Sequence, residues 1–307
     1  MNQRIERVRA AMQAQGLTQM IVSDPKSVWY LTGVEVEPYE RLLALYLPVC
    51  GEPVLFLNRL FNVPDPPCKA MWHDDVQDPV AQIAGVVDAA ATLGIDKEWP
   101  AKFLIPLMQH CPGMRVVLAS DCVDDCRACK DEAEQTLMRE ASRINDEVNA
   151  AVKQYVRVGM TEKQVARFVD EQYLARGCEG NSFTTIVSFG ANAADPHHEP
   201  DNTVLQPGQC VLVDMGCRKN RYCSDMTRTW FAGTPTEKQA AVHELVHRAN
   251  LAAEALVKPG VRLCDVDAAA RQVIAQAGYG AYFNHRLGHF IGQTDHEKGD
   301  VSSANTA

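Results

Sequence analysis

Val211-Leu-Val-Asp-Met-Gly216, the polar turn Lys219-Asn-Arg221 and Tyr222-Cys-Ser-Asp-Met-Thr-Arg-Thr-Trp-Phe231 read together as one β-hairpin carrying an aspartate on each arm, Asp214 and Asp225. Asp214 follows an apolar strand, where a carboxylate is costly without a cation or a hydrogen-bond network. Antiparallel pairing can bring two such carboxylates within reach of one metal cluster. Further along, His285-Arg-Leu-Gly-His-Phe-Ile-Gly292 supplies His289. Either aspartate alone is more often a capped loop residue than a ligand. The pair, with apolar flanks and a downstream imidazole, favours ligation. Oxygen-rich donors with one imidazole suit manganese, cobalt or iron better than a structural zinc site. Carboxylates holding two metals about 3.5–4 Å apart are a common device for activating water.

Other histidines lie in polar loops. His197 and His198 occur in Gly190-Ala-Asn-Ala-Ala-Asp-Pro-His-His-Glu-Pro200, and His296 in Gly292-Gln-Thr-Asp-His-Glu297. A lone loop histidine is usually just solvated. Amide cleavage, however, needs oxyanion donors and a proton shuttle to the leaving nitrogen, and imidazoles beside a carboxylate cluster can serve both needs.

Around this segment the chain has the size of a two-domain protein, 307 residues. Its 46% hydrophobic and 22% charged residues are those of an ordinary globular chain. A net charge of −9 argues against a nucleic-acid surface. No apolar run is of bilayer length, and Met1-Asn-Gln-Arg-Ile-Glu-Arg7 lacks a signal-peptide core. The eleven cysteines follow no framework spacing, so reduced thiols and a cytoplasmic location are expected. Cys126-Arg-Ala-Cys129 has no second CxxC to complete a zinc site and reads as two ordinary thiols near a helix start. Cys217 and Cys223 flank the hairpin tip.

The first part predicts an α/β domain. Ile5, Val8, Met12 and Leu17 mark a helix, Met20–Val22 a buried strand, and Val28–Gly33 a second extended segment. Strands are expected at Leu42–Leu47, Val54–Leu57 and Val116–Ala119. Asp78 caps a helix with Pro79 at its first position, extending to about Leu93. The boundary falls near Asp121–Asp131, giving domains of 1–125 and 126–307. The second part opens with a long helix whose apolar face is Ala133, Leu137, Ala141, Ile144, Val148 and Val152. Capping boxes at Thr161-Glu-Lys-Gln164 and Thr236-Glu-Lys-Gln239 open two more helices, and Asp265–Ala277 is a fourth.

With these motifs in view, the sequence resembles the creatinase/prolidase/methionine aminopeptidase group over essentially its whole length, and within it the Xaa-Pro dipeptidases and aminopeptidases. Asp24-Pro-Lys-Ser-Val-Trp-Tyr-Leu-Thr-Gly33 resembles the N-terminal signature, and Lys130-Asp-Glu-Ala-Glu134 the opening of the catalytic domain. The resemblance implies a creatinase-like α/β domain followed by an α+β "pita-bread" catalytic domain. It implies Asp214, Asp225 and His289 as ligands of two divalent metals, most often Mn2+, with Co2+, Fe2+ or Zn2+ as alternatives. It implies His197 for proton transfer and stabilisation of the intermediate, His285 and His296 as substrate-pocket histidines, and a catalytic part for His296 as well. The implied reaction is hydrolysis of the bond before proline in small peptides by a homodimer that binds neither nucleic acid nor membrane. The group also uses two later glutamates, the first in a Glu-Pro-Gly segment. Neither occurs here, so a catalytic domain incomplete at its C-terminus is expected. The alternatives are an inactive binding or dimerisation module and, against the retained Asp214, Asp225 and His289, a metal-free creatinase-type amidinohydrolase.

Overall fold

Strands buried on both faces decide the first unit. In the computed structural model, which describes residues 3–307, the chain divides into Met1–Cys129 and Lys130–Ala307. The first unit runs α1 (Gln3–Ala14), β1 (Gln19–Val22), α2 (Pro25–Thr32), β2 (Ala44–Pro48), β3 (Val54–Asn58), β4 (Lys69–His73), α3 (Pro79–Ala84), β5 (Leu93–Ile95), α4 (Ala101–His110), β6 (Val116–Leu118) and α5 (Asp121–Ala128). The strands form one six-stranded sheet in the order β4-β3-β2-β1-β5-β6. β1, β2 and β3 pair antiparallel, and the outer pairs are parallel. Successive strand residues point to opposite faces. Met20, Val22, Leu45, Leu47, Leu55 and Leu57 therefore pack with Val8 and Met12 of α1. Ile21, Ala44, Val54 and Phe56 pack on the other face with Val80, Ile83 and Leu107.

Two expectations fail here. Val28–Gly33 is not extended but belongs to α2. The Asp24 carboxylate accepts from Lys26 N and Ser27 N, Pro25 takes the first turn, and Gly33 closes the helix at φ 76°. Cap and proline outweigh the β-branched and aromatic composition. The helix capped by Asp78 ends at Ala84, not near Leu93, which instead begins β5. The segments β4 and α4 lie where no element was anticipated; α4 carries Pro106 in its interior. All eleven cysteines are free, and burial pushes the Cys126 thiol pKa up, so the thiol form is favoured.

The second unit runs α6 (Glu132–Tyr155), α7 (Glu162–Ala175), β7 (Gly180–Asn181), β8 (Ile186–Phe189), β9 (Cys210–Met215), β10 (Cys217–Lys219), β11 (Tyr222–Cys223), β12 (Met226–Phe231), α8 (Glu237–Glu254), α9 (Leu263–Gln276), β13 (Gly288–Phe290) and β14 (Glu297–Val301). The anticipated capping boxes open α7 and α8, and a further one, Asp131 with Glu134, opens α6. Strands group as β12-β9-β8, β11-β10-β7 and β13-β14. Ile144, Val148 and Val152 of α6 and Val165, Val169 and Tyr173 of α7 pack on Val211, Val213 and Met215 of β9. That choice of face turns Leu212 and Asp214 the other way.

Candidate metal centre

The hairpin forms as one register with a jog in the middle. β9 pairs with β12, setting Asp214 opposite Thr227 and Met215 opposite Met226. β10 pairs with β11, setting Arg218 opposite Cys223 and Lys219 opposite Tyr222 in the same register. The tip is two residues, Asn220 and Arg221, at φ 49° and 69°. Positive φ at both positions is the geometry of a type I′ turn, which matches the twist of the arms. Asp225 precedes Thr227 by two residues, so Asp214 and Asp225 share a face as diagonal neighbours.

Between the aspartates the ladder is stitched by side chains. Cys217 N donates to Ser224 Oγ at 3.0 Å, Ser224 N to Cys217 O at 2.9 Å, and Ser182 Oγ to Ser224 O at 2.7 Å. Gly216 sits in this crossing; a Cβ there would fall 2.0 Å from Ser224 O and 2.1 Å from Ser182 Oγ. Behind the strand, fully buried Asn145 donates from Nδ2 to Met215 O at 3.0 Å and accepts a bond from Tyr173 Oη. Tyr222 Oη donates to Glu134 Oε1 at 2.7 Å, fixing the return arm to α6.

Asp214 accepts from Thr227 Oγ1 at 2.7 Å. Burial pushes its carboxyl pKa above the usual range; the Thr227 bond opposes this, and the charge of Asp225 adds to it. His289 lies on β13 with Nε2 3.3 Å from Asp225 Oδ2 and Nδ1 3.1 Å from Phe290 O. The hydrogen bond to Asp225 raises the His289 pKa against the opposing effect of burial. The His296 ring stands edge-on to His289, centroids 4.1 Å apart. Asp225, His289 and His296 thus come together beside Asp214.

His285 packs edge-on to Phe283 with centroids 5.0 Å apart, and its Nδ1 lies 2.6 Å from Arg286 O. Its backbone is tied by Arg271, whose guanidinium donates to His285 O at 2.9 Å, to Phe283 O at 2.8 Å and to both oxygens of buried Asp267. His197 is exposed; its backbone N donates to Asp195 Oδ1 at 3.0 Å. Among the described residues its ring forms no hydrogen bond or ion pair with the His289 group. Thr227 and Arg271 carry no motif of their own. The opposite-partner relation of Thr227 to Asp214 was available from the hairpin, whereas the Arg271 tether depends on tertiary contacts.

The donor chemistry of Asp214, Asp225 and His289 suits a divalent cation: Asp225 and His289 are in contact, Asp214 feels the charges of both, and among the described residues neither aspartate is paired with a lysine or arginine, although the three do not close into one tight donor cluster. Glu297 and Asp300 are engaged elsewhere. Glu297 pairs with Lys130 at 2.9 Å and accepts from Gln293 N at 2.9 Å; Asp300 pairs with Arg286 at 2.5 Å.

Residues 136–307 match the description Metallopeptidase family M24, and residues 4–129 match the Creatinase/Prolidase N-terminal domain. The chain belongs to metallopeptidase family M24. Its fold is a creatinase-type N-terminal domain followed by a pita-bread domain. A dipeptidase from Mycobacterium ulcerans has 34% identity and a TM-score of 0.93, with 99% of this chain and 84% of that one covered. A prolidase from Thermococcus sibiricus has 29% identity and a TM-score of 0.93, with 100% and 86% covered. An uncharacterised peptidase of Staphylococcus haemolyticus is 33% identical, with 99% of this chain and 87% of that one covered.

Proposed function

We propose that this M24 member is a metal-dependent peptidase that hydrolyses the bond preceding proline in small peptides, with dipeptides as the favoured substrates. The observation that supports the reading is the shared face of Asp214 and Asp225 with His289 Nε2 3.3 Å from Asp225 Oδ2, and no lysine or arginine, among the described residues, neutralising the aspartates. Similarity to a prolidase and a dipeptidase supports the choice of substrate. Asp214, Asp225 and His289 would hold divalent metal, Mn2+ being our first choice of ion and two our expected number. Bound metal supplies a nucleophilic water at neutral pH and polarises the scissile carbonyl.

The protein side chains do the rest. Thr227 holds Asp214 in the orientation the ligand role needs. His296 and His285 are assigned to the substrate pocket, a role the edge-on contact with His289 supports for His296. His197 donates to the developing oxyanion and delivers a proton to the leaving proline nitrogen. Release of proline from Xaa-Pro dipeptides and cleavage of a longer Xaa-Pro peptide, with Mn2+ and with EDTA, test the reading beside Asp225→Asn. Manganese-dependent proline release, abolished in the variant, is expected. A second readout is thermal: saturating Mn2+ at 100 times Kd stabilises the folded protein by about 2.7 kcal/mol. Equal shifts in wild type and Asp225→Asn would remove the centre from the proposal, and absence of cleavage despite a metal-dependent shift would leave a binding module.

A further inference from the structure

Outside the candidate metal centre, Glu162 is a buried carboxylate of the second unit with four hydrogen-bond donors around it. It is the first residue of α7, behind the Thr161 cap, and its side chain is fully buried. Its Oε1 accepts from Phe189 N at 2.7 Å and Asn192 Nδ2 at 3.0 Å. Its Oε2 accepts from His198 Nε2 at 2.7 Å and Asp201 N at 3.1 Å. Those four donors come from the start, middle and end of one segment, residues 189–201, which carries His197. The N-terminal end of α7 favours the negative charge. The backbone closes the same clamp: Glu162 N donates to Thr203 O at 3.2 Å and Lys163 N to Asp201 O at 3.1 Å.

We infer that Glu162 is a positioning residue: its buried carboxylate folds the 189–201 segment around itself and so sets where the His197 imidazole stands. Glu162, His198 and Asp201 also bring potential cation donors within 4.8 Å of one another. A carboxylate has about four lone-pair sites. All four on Glu162 are filled by N–H donors, so the cluster is a hydrogen-bonded hub with no acceptor left for a cation. Against an ionised Glu162, His198 takes the tautomer that presents Nε2–H, and its neighbour His197 projects from a segment held at both ends by the same carboxylate. The inference rests on the proposed role of His197.

The test combines amide hydrogen exchange with a double-mutant cycle in the full chain. In Glu162→Gln the amide nitrogen replaces one acceptor oxygen and faces two donors. Exchange across 189–201 is expected to rise roughly 10-fold or more, while β9 and β12 remain as protected as in wild type. Asn192→Ala removes one of the four bonds, should cause a smaller rise confined to the same segment, and keeps the test available if Glu162→Gln does not fold. For Xaa-Pro hydrolysis, Glu162→Gln should lower kcat by roughly 10- to 100-fold with KM little changed. The same substitution should cost nothing further in a His197→Ala background. Unchanged exchange in 189–201, a rise spread evenly over the whole unit, or equal losses in both backgrounds would overturn the inference. So would bound metal that is lost on His198→Ala. If His197→Ala itself leaves kcat intact, the proposed role of His197 fails, and exchange alone then decides whether Glu162 holds the segment.

Discussion

Gly216→Ala tests whether the hairpin crossing is as tight as it stands. The added methyl would lie 2.0 Å from Ser224 O, 2.1 Å from Ser182 Oγ and 2.9 Å from Ser224 C. Ser182 can swing away, giving up its bond to Ser224 O at a cost of about 1 kcal/mol. Ser224 O is backbone and cannot retreat without stretching the Ser224 N to Cys217 O bond. Overpacking of this kind costs about 1–3 kcal/mol. The sum, about 2–4 kcal/mol, corresponds to a fall in Tm of roughly 5–15 °C for a unit of this size. Because Asp225 follows Ser224 directly, the displaced strand should also weaken the Mn2+-induced thermal shift. Gly85→Ala is the matched control: a Cβ there meets only ordinary contacts at 3.5 Å and 3.7 Å. Circular dichroism melts of the three proteins, with and without Mn2+, read both effects. A Gly216→Ala protein that melts with the wild type and keeps its manganese shift would refute the reasoning.

Two other substitutions probe buried charge. Arg271→Ala leaves Asp267, fully buried, without its bidentate partner; a loss of about 3 kcal/mol in denaturant unfolding is expected. Because the 283–285 backbone loses its tether too, faster proteolysis of that stretch should accompany it. Asp96 accepts from Ser23 N, Asp24 N and Ser23 Oγ, yet burial pushes its carboxyl pKa up. A raised folded-state pKa contributes stability that is full below the ordinary carboxylate range and is lost as pH rises through the raised value. In Asp96→Asn that slope should vanish from unfolding curves measured across mildly acidic pH, a result checked against wild type point by point. The asparagine oxygen can keep the Ser23 and Asp24 N–H bonds, both made to Oδ2, so the bond that variant loses is the one from Glu98 N to Oδ1.

The sequence carried the second unit well because its signals are local. Capping boxes, the apolar stripe of α6 and the polar turn between two strand-like runs each state their element within a few residues. The shared face of Asp214 and Asp225 follows from the same register. In the first unit, Val28-Trp-Tyr-Leu31 has the composition of a strand, and only Asp24-Pro25 signals the helix. β4, with the polar ends Lys69 and His73, owes its place to pairing with β3 and has no periodicity to reveal it. The neighbours of the candidate metal centre are the least visible. His296 meets His289 across the β13–β14 hairpin, and the Glu162 hub joins residues nearly forty positions apart in the chain. Such contacts are created by packing and leave no periodic trace.

The two-residue tip at Asn220-Arg221 determines where this part of the chain can tolerate a change in length. Extra residues placed at the tip enlarge the turn and leave both arms in phase. A single residue added or removed within either arm, between Asp214 and the tip or between the tip and Asp225, reverses the facing of everything beyond it unless a bulge absorbs it. One carboxylate would then look toward α6 and α7 while the other kept its present side. Length variation in the hairpin is thus confined to its end, and the arms are under a parity rule as strict as any demand on residue identity.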